Sequence, residues 1–317
     1  MKRALLPGLA LLTIGLAFAA SVGAAPSCHP DEKNRAASTG LVFSGGGAKG
    51  AYEAGVALGF KERGVRVAAV AGSSAGALNA ALVASGQEEL LAKLWREVSN
   101  DQVYRLPWSM RLAGLLPGWI TLWYLDQVGA VFDLSPLRAL IAEHVDLARL
   151  RESPTRLFVV TLDLISGEKR VFTNRDVTHD ILLASGAVPG IFPPVSRDAQ
   201  LLMDGGIMDR APLLDLLELA GPVDRVVTVV SYGDPTPLAP PVTLRRILER
   251  TLELALPYQI VKDAELARHR RPDVGIHLLY PSEPLWLRPL EFEGERIARV
   301  IELGRKDAHA CLERLGG

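Results

Sequence analysis

An α/β fold, with a largely parallel central sheet and helices on both faces, is the class this sequence predicts. Three observations point to it. From Thr39 onward, short apolar runs alternate with segments of helical spacing, the pattern of βαβ units. Two glycine-rich turns each stand between such a run and such a segment, where a tight strand-to-helix connection belongs. The composition, 49% hydrophobic and 22% charged with 35 Lys and Arg against 36 Asp and Glu, is that of a folded domain and excludes a disordered chain. The near-neutral balance carries no electrostatic footprint for nucleic acid. Six His and two Cys, with no C-x-x-C and no H-E-x-x-H, supply no metal cage, so no metal or other cofactor is expected.

In chain order, Lys2 and Arg3 precede an uncharged stretch rich in Leu and Ala, closed by small residues at Val22-Gly23-Ala24. Residues 1–24 therefore read as a signal peptide of an exported, periplasmic or secreted protein, with residues 25–38 an N-terminal extension. The alternative is an uncleaved anchor, since no charge falls between Ala4 and Pro30. Thr39–Ser44 is a short apolar run and predicts a buried strand. Lys49–Arg63 has helical spacing (Tyr52, Val56, Phe60) and stops at Gly64. Val65–Val70 predicts a second strand, followed by helices at Ala75–Ala84 and Glu88–Val98. Ser135-Pro136 predicts a helix start, with Ser as cap and Pro at the first helical position. Arg156–Leu164 and Glu168–Thr173 predict strands joined through Ile165-Ser166-Gly167, and Leu201–Met203 and Arg225–Ser231 predict two more. A Pro-rich loop at Pro235–Pro241 leads to a helix at Thr243–Leu256, a strand at Val274–Leu279 and a last helix at Phe292–Leu315. Cys311 shares an apolar face of that helix with Ile297, Val300, Ile301, Ala308, Leu312 and Leu315. This spacing predicts a buried thiol, with a bridge to Cys28 as the alternative an oxidising compartment permits.

The chemistry concentrates in the two glycine-rich turns. Gly72-Ser73-Ser74-Ala75-Gly76 fits G-x-S-x-G between a strand and a helix. That is the nucleophile elbow, whose turn is so tight that its flanking residues, here Gly72 and Gly76, must be tiny. Ser74 is the central serine and candidate nucleophile, and Ser73 is structural. Ser44-Gly45-Gly46-Gly47-Ala48-Lys49-Gly50 stands in the same position after the first strand. Consecutive glycines turn backbone N–H groups toward one point at a helix N-terminus, as an oxyanion hole needs. Gly45, Gly47 and Gly50 also satisfy the dinucleotide pattern G-x-G-x-x-G, but the second strand, Val65–Val70, carries no acid to hold a ribose, and no Gly-Lys-Ser/Thr follows for a P-loop.

A serine nucleophile needs a base. His269, His277 or His309 would complete a Ser-His-Asp esterase. Asp204 is the sharper choice, leaving a predicted strand into Gly205-Gly206. On spacing alone, an Asp-Gly hairpin turn explains Asp204 equally well.

In these residues the chain resembles the patatin-like phospholipases. The matching segments, in order, are Gly45-Gly46-Gly47-Ala48-Lys49-Gly50, Gly72-Ser73-Ser74-Ala75-Gly76, the stretch Ala184–Pro194, and Asp204-Gly205-Gly206. The resemblance implies an α/β-hydrolase-related catalytic domain over residues 39–317. It also implies a Ser-Asp dyad of Ser74 and Asp204, an oxyanion hole from Gly45, Gly46, Gly47 and Ala48, and no metal. The implied activity is lipid acyl-ester hydrolysis of phospholipase A or lysophospholipase type, with phospholipid or another acyl lipid as substrate. A protein that kept the fold and binds lipid without catalysis is the non-enzymatic alternative.

One segment bears on the substrate. Leu112–Leu125 is uncharged throughout, is interrupted by Pro117-Gly118, and lies near three of the five tryptophans, Trp108, Trp119 and Trp123. It is too short to span a bilayer. Leu115, Leu116, Trp119, Leu122 and Trp123 predict an apolar surface or pocket rim for acyl chains, in peripheral contact with a membrane, or else plain core.

Overall fold

The computed structural model describes residues 28, 38–232, 243–292 and 294–316. The expected signal peptide, most of the N-terminal extension and the loop Pro235–Pro241 lie outside these residues. The chain begins with β1 (Thr39–Phe43), α1 (Gly50–Glu62), β2 (Val67–Gly72), α2 (Ala75–Ala84) and α3 (Glu88–Glu97). Next come α4 (Asn100–Val103), α5 (Trp108–Ala113), α6 (Gly118–Val128), α7 (Ser135–His144) and α8 (Leu147–Glu152). The middle of the chain holds β3 (Arg156–Asp163), β4 (Glu168–Thr173), α9 (His179–Ser185), β5 (Val195–Arg197), β6 (Gln200–Asp204) and α10 (Leu213–Leu219). It ends with β7 (Arg225–Val229), α11 (Leu244–Arg270), β8 (Gly275–Leu279) and α12 (Gly294–Arg314).

The strands form one mixed sheet in the order β5-β6-β3-β2-β1-β7-β8, with β4 also on β3. β3, β2, β1, β7 and β8 run parallel, while β4, β6 and β5 add an antiparallel margin. Alternate residues of the central strands feed two cores, as the two-residue period of a strand dictates. Leu41, Phe43, Val70 and Val159 pack with α1, α2, α3, α9 and α12. Val42, Ala71, Phe158 and Val226 pack with α10 and α11. Helices thus cover both faces, which is why the central strands read as continuous apolar runs.

β3 is the template for the site. β4 occupies one of its edges over Phe158–Asp163. The other edge is shared end to end: β2 pairs with Arg156–Val159, ending with Gly72 opposite Val159, and β6 pairs with Thr161–Asp163, with Asp204 opposite Thr161. The turn after β2 and the end of β6 therefore meet. The turn after β1 adjoins both, because β1 and β2 are parallel neighbours.

Three expectations need correction. Ser135 is the first residue of α7 rather than its cap, and Leu134 is the cap. Asp133 supplies the capping acceptor, taking the Ser135 N–H at 2.9 Å and its hydroxyl at 2.6 Å. α11 does not end near Leu256 but continues through Pro257 to Arg270. A proline inside a helix forfeits a backbone hydrogen bond, and beyond it Ile260, Ala264 and Ala267 are buried at helical spacing on the second core. Cys311 is buried but not a thiol. It forms a disulfide with Cys28, Cα to Cα 5.2 Å, and the Cys28 N–H donates to Leu278 at the end of β8. Among the described residues, no helix is long and apolar enough to cross a membrane.

Candidate active site

Ser74 sits at the turn between β2 and α2 with φ 57° and ψ −136°, a conformation non-glycine residues avoid and functional turns retain. Its surroundings leave no room for side chains. A Cβ on Gly72 would lie 2.3 Å from the Gly76 carbonyl oxygen, and one on Gly45 would lie 2.4 Å from the Ser73 carbonyl oxygen. The first glycine-rich turn is thereby pressed onto the elbow. The Ser73 hydroxyl donates to the Arg210 carbonyl at 2.7 Å, in keeping with a structural role.

Asp204 ends β6 and is 2% exposed. The chain continues from it into a single 3-10 turn, Gly205–Ile207, rather than a hairpin. Its carboxylate accepts the Gly206 N–H at 2.8 Å, and the Ser74 side chain faces it closely enough to favour its charged form. Burial pushes its pKa up, against the opposing pull of the Arg210 guanidinium, the Gly206 N–H and the Ser74 side chain. The segment Ala184–Pro194 braces both residues. The Ser185 hydroxyl oxygen accepts the Ser74 N–H at 3.1 Å, and the Ala187 carbonyl accepts the Asp204 N–H at 3.0 Å.

Gly45, Gly46 and Gly47 all have positive φ, at 68°, 119° and 60°. Their amides do not all face the serine. The Gly45 N–H donates to Glu53 at 2.7 Å, and the Ala48 N–H donates to the Pro289 carbonyl at 2.8 Å. The four donors expected there narrow to two: the amides of Gly46 and Gly47 have no partner among the described residues. Glu53 is fully buried in α1, and also accepts from Ser44 and Ser231 on Oε1 and from Asn79 on Oε2. Burial outweighs these bonds and raises its pKa to about 7.

The three candidate histidines stand elsewhere. His269 is exposed at the end of α11 against the Glu265 carbonyl, His309 on α12 faces Glu62 at 2.9 Å, and His277 lies in β8, separated from β2 by β7 and β1. Ser74 meets Asp204 instead. Among the described residues, no group of three or more His, Cys, Asp or Glu is placed to hold a metal ion.

The uncharged segment is not core. Arg105 and Asp133 exchange backbone hydrogen bonds and a salt bridge, pinning the neck of a projecting helical pair. Beyond it, α5 and α6 are separated at Pro117, and α6 has no buried residue. Leu115 is 82% exposed, Trp119 73% and Trp123 61%. Ile207 and Met208, in the loop after Asp204, are also exposed.

Sequence reasoning missed Glu53, Ser185, Arg210 and Tyr232. Glu53 had a signal, being a lone acid in the otherwise apolar run Gly50–Phe60. Arg210 and Tyr232 had none, because their contact depends on two loops meeting.

The family model described as "Patatin-like phospholipase" matches residues 41–217, more than half of the chain. The chain belongs to the patatin-like phospholipase family. That span contains the Gly-rich turn, the elbow and Asp204. An uncharacterized NTE family protein of Mycobacterium tuberculosis is 30% identical over 294 residues, 87% of this chain and 46% of the relative. A patatin-like phospholipase domain-containing protein of Mus musculus is 27% identical over 195 residues, 61% of this chain and 13% of the relative. The chain thus spans less than half the length of these curated relatives. Among solved structures, VipD from Legionella pneumophila matches at TM-score 0.45 and 17% identity, covering 88% of this chain and 67% of that one.

Proposed function

We propose that the protein is an exported serine lipid acyl hydrolase of phospholipase A or lysophospholipase type, acting on carboxylic esters through an acyl-Ser74 intermediate. One observation carries the reading: Ser74, on its strained elbow turn, faces the buried Asp204 carboxylate closely enough to lower its pKa, beside the glycine turn whose Gly46 and Gly47 amides have no partner among the described residues.

The chemistry grows out of that arrangement. Ser74 Oγ attacks the ester carbonyl as its proton passes to Asp204, and the carbonyl oxygen takes the negative charge toward the Gly46 and Gly47 amides. Collapse expels the alcohol, which takes the proton from Asp204 and leaves the acyl group on Ser74. Water then attacks the acyl-enzyme, again giving a proton to Asp204, which returns it to Ser74 as the fatty acid departs. An aspartate of ordinary pKa near 3.9 is a weak base for a hydroxyl. Burial strengthens it, and each oxyanion donor contributes about 3–4 kcal/mol.

The exposed apolar side chains of α5 and α6 fit a lipid surface: tryptophans beside leucines, along the uncharged stretch Leu112–Leu125, suit the interface of a bilayer. The Cys28–Cys311 disulfide suits a periplasmic or secreted protein, since such bonds persist in oxidising compartments.

Product analysis tests this reading. Purified protein incubated with phosphatidylcholine and lysophosphatidylcholine vesicles releases free fatty acid, and Ser74→Ala and Asp204→Asn release none while melting normally. Fatty acid release by Asp204→Asn, abolished instead by replacing a histidine, would favour the three-residue esterase. Lipid binding without release by the wild type would favour the non-catalytic alternative.

A further inference from the structure

Arg210 is 6% exposed, and its Nε has no hydrogen-bond partner among the described residues. The loop from Asp204 carries it back over the site. Its carbonyl holds the Ser73 hydroxyl of the elbow, and its guanidinium hydrogen-bonds the Tyr232 hydroxyl and lies 4.8 Å from the Tyr232 ring centre. A Cβ on Gly206 would lie 2.9 Å from Arg210 Nη1 and 3.0 Å from Asp204 Oδ1. The two charges are therefore within about 6 Å of each other, the range over which an opposite charge holds a carboxyl ionised.

We propose that Arg210 is a positioning residue for the reaction, a buried cation that keeps Asp204 in its charged, proton-accepting form. The proposal rests on the reading of Asp204 as the base. A buried carboxylate without a counter-charge takes up a proton rather than remain ionised, and a protonated Asp204 cannot take the proton of Ser74. The surrounding groups leave this task to Arg210. Lys49, at the start of α1, lies 4.7 Å from the Tyr232 ring centre and pairs with Glu253 of α11. Lys169 of β4 is bound to Asp209 and to Asp215 of α10, and Asp263 of α11 also feels it. The other acidic groups drawn to Arg210 are Glu53 of α1 and Tyr232 after β7, and it opposes the burial of both.

The sign is set by the chemistry. The active form of Asp204 is the carboxylate, so activity falls on the acid side as it protonates. Removing the cation raises its pKa and moves that limb to higher pH. The test is the pH profile of kcat/KM on a soluble short-chain ester, with a melting curve for each variant. Arg210→Met is expected to move the acid limb up by about one to two pH units, with activity recovering at higher pH. Arg210→Lys, which keeps the charge, should leave the limb near its wild-type position. Arg210→Gln is equally neutral but can still bond Tyr232, and carries the test if Arg210→Met does not fold. The same shift measured in a Glu53→Gln background assigns the limb to Asp204 rather than Glu53. A neutral variant that is weaker at every pH, with its acid limb unmoved, would overturn the proposal and leave Arg210 a structural role. Activity retained in Asp204→Asn would instead overturn the reading of the base itself.

Discussion

A methyl group at Gly47 tests the oxyanion loop, and Gly64 supplies the control. Both have nearly the same left-handed backbone, φ 60° and 67°. They differ in what a Cβ would meet. At Gly64 there is nothing within 4 Å, whereas at Gly47 the Pro289 carbonyl oxygen lies 1.9 Å away, with its carbonyl carbon at 2.8 Å. These are backbone atoms, so the turn must move by an ångström or more. The oxygen that is struck also accepts the Ala48 N–H. Gly64→Ala incurs only the left-handed cost of roughly 1–2 kcal/mol. Gly47→Ala adds the loss of a buried hydrogen bond, about 1 kcal/mol, for a total of about 2–3 kcal/mol and a fall in Tm of about 5 °C. Its larger effect is on chemistry, because the displaced turn carries the unpartnered amides of Gly46 and Gly47. Loss of one such donor lowers kcat about 100-fold or more. The assay is hydrolysis of a short-chain chromogenic ester, normalised to folded protein and run beside thermal melts. Gly64→Ala is expected to keep wild-type kcat. Gly47→Ala turning over within about threefold of Gly64→Ala would refute the assignment of the oxyanion donors to this turn, set against the loss expected for one donor.

Two further outcomes are expected. The Cys28–Cys311 bridge closes a sequence separation of 283, so Cys28→Ser with Cys311→Ser is expected to cost about 5 kcal/mol and lower Tm by about 10 °C; identical melts with and without reductant would contradict it. Trp119→Ala with Trp123→Ala removes exposed indoles, so Tm should move by no more than about 2 °C, while hydrolysis of vesicle lipid falls about tenfold and that of a soluble ester far less. Equal loss on both substrates would count against the lipid-facing role.

The sequence made the central strands, the two glycine turns and the Ser74 elbow legible, because each is written locally. Buried strands read as apolar runs, and the elbow tolerates only tiny residues at Gly72 and Gly76. The bounds of α2 and β4 coincide with their expected ranges, Ala75–Ala84 and Glu168–Thr173. The antiparallel margin was less legible. β5 has three residues, too few for a period, and the place of β6 depends on which edge of β3 lies open. Long-range contacts left no local trace. The disulfide joins residues from opposite ends of the chain, and the Gly45 and Ala48 amides are turned away by Glu53 and Pro289. The helix expected at Thr243–Leu256 runs on because tertiary burial carries α11 past Pro257, where a proline normally stops a helix. Arg210 was silent because a surface arginine and a buried one look alike in a sequence.

The central claim is that Ser74 is a nucleophile activated by Asp204, and covalent trapping tests it most directly. A fluorophosphonate bearing an alkyl chain forms a bond from its phosphorus to an activated serine oxygen and releases fluoride. Intact mass and peptide mapping then locate the adduct. One adduct per chain is expected, on the peptide containing Ser74, absent in Ser74→Ala and greatly slowed in Asp204→Asn. An adduct on another residue, or labelling of Asp204→Asn at the wild-type rate, would contradict the claim.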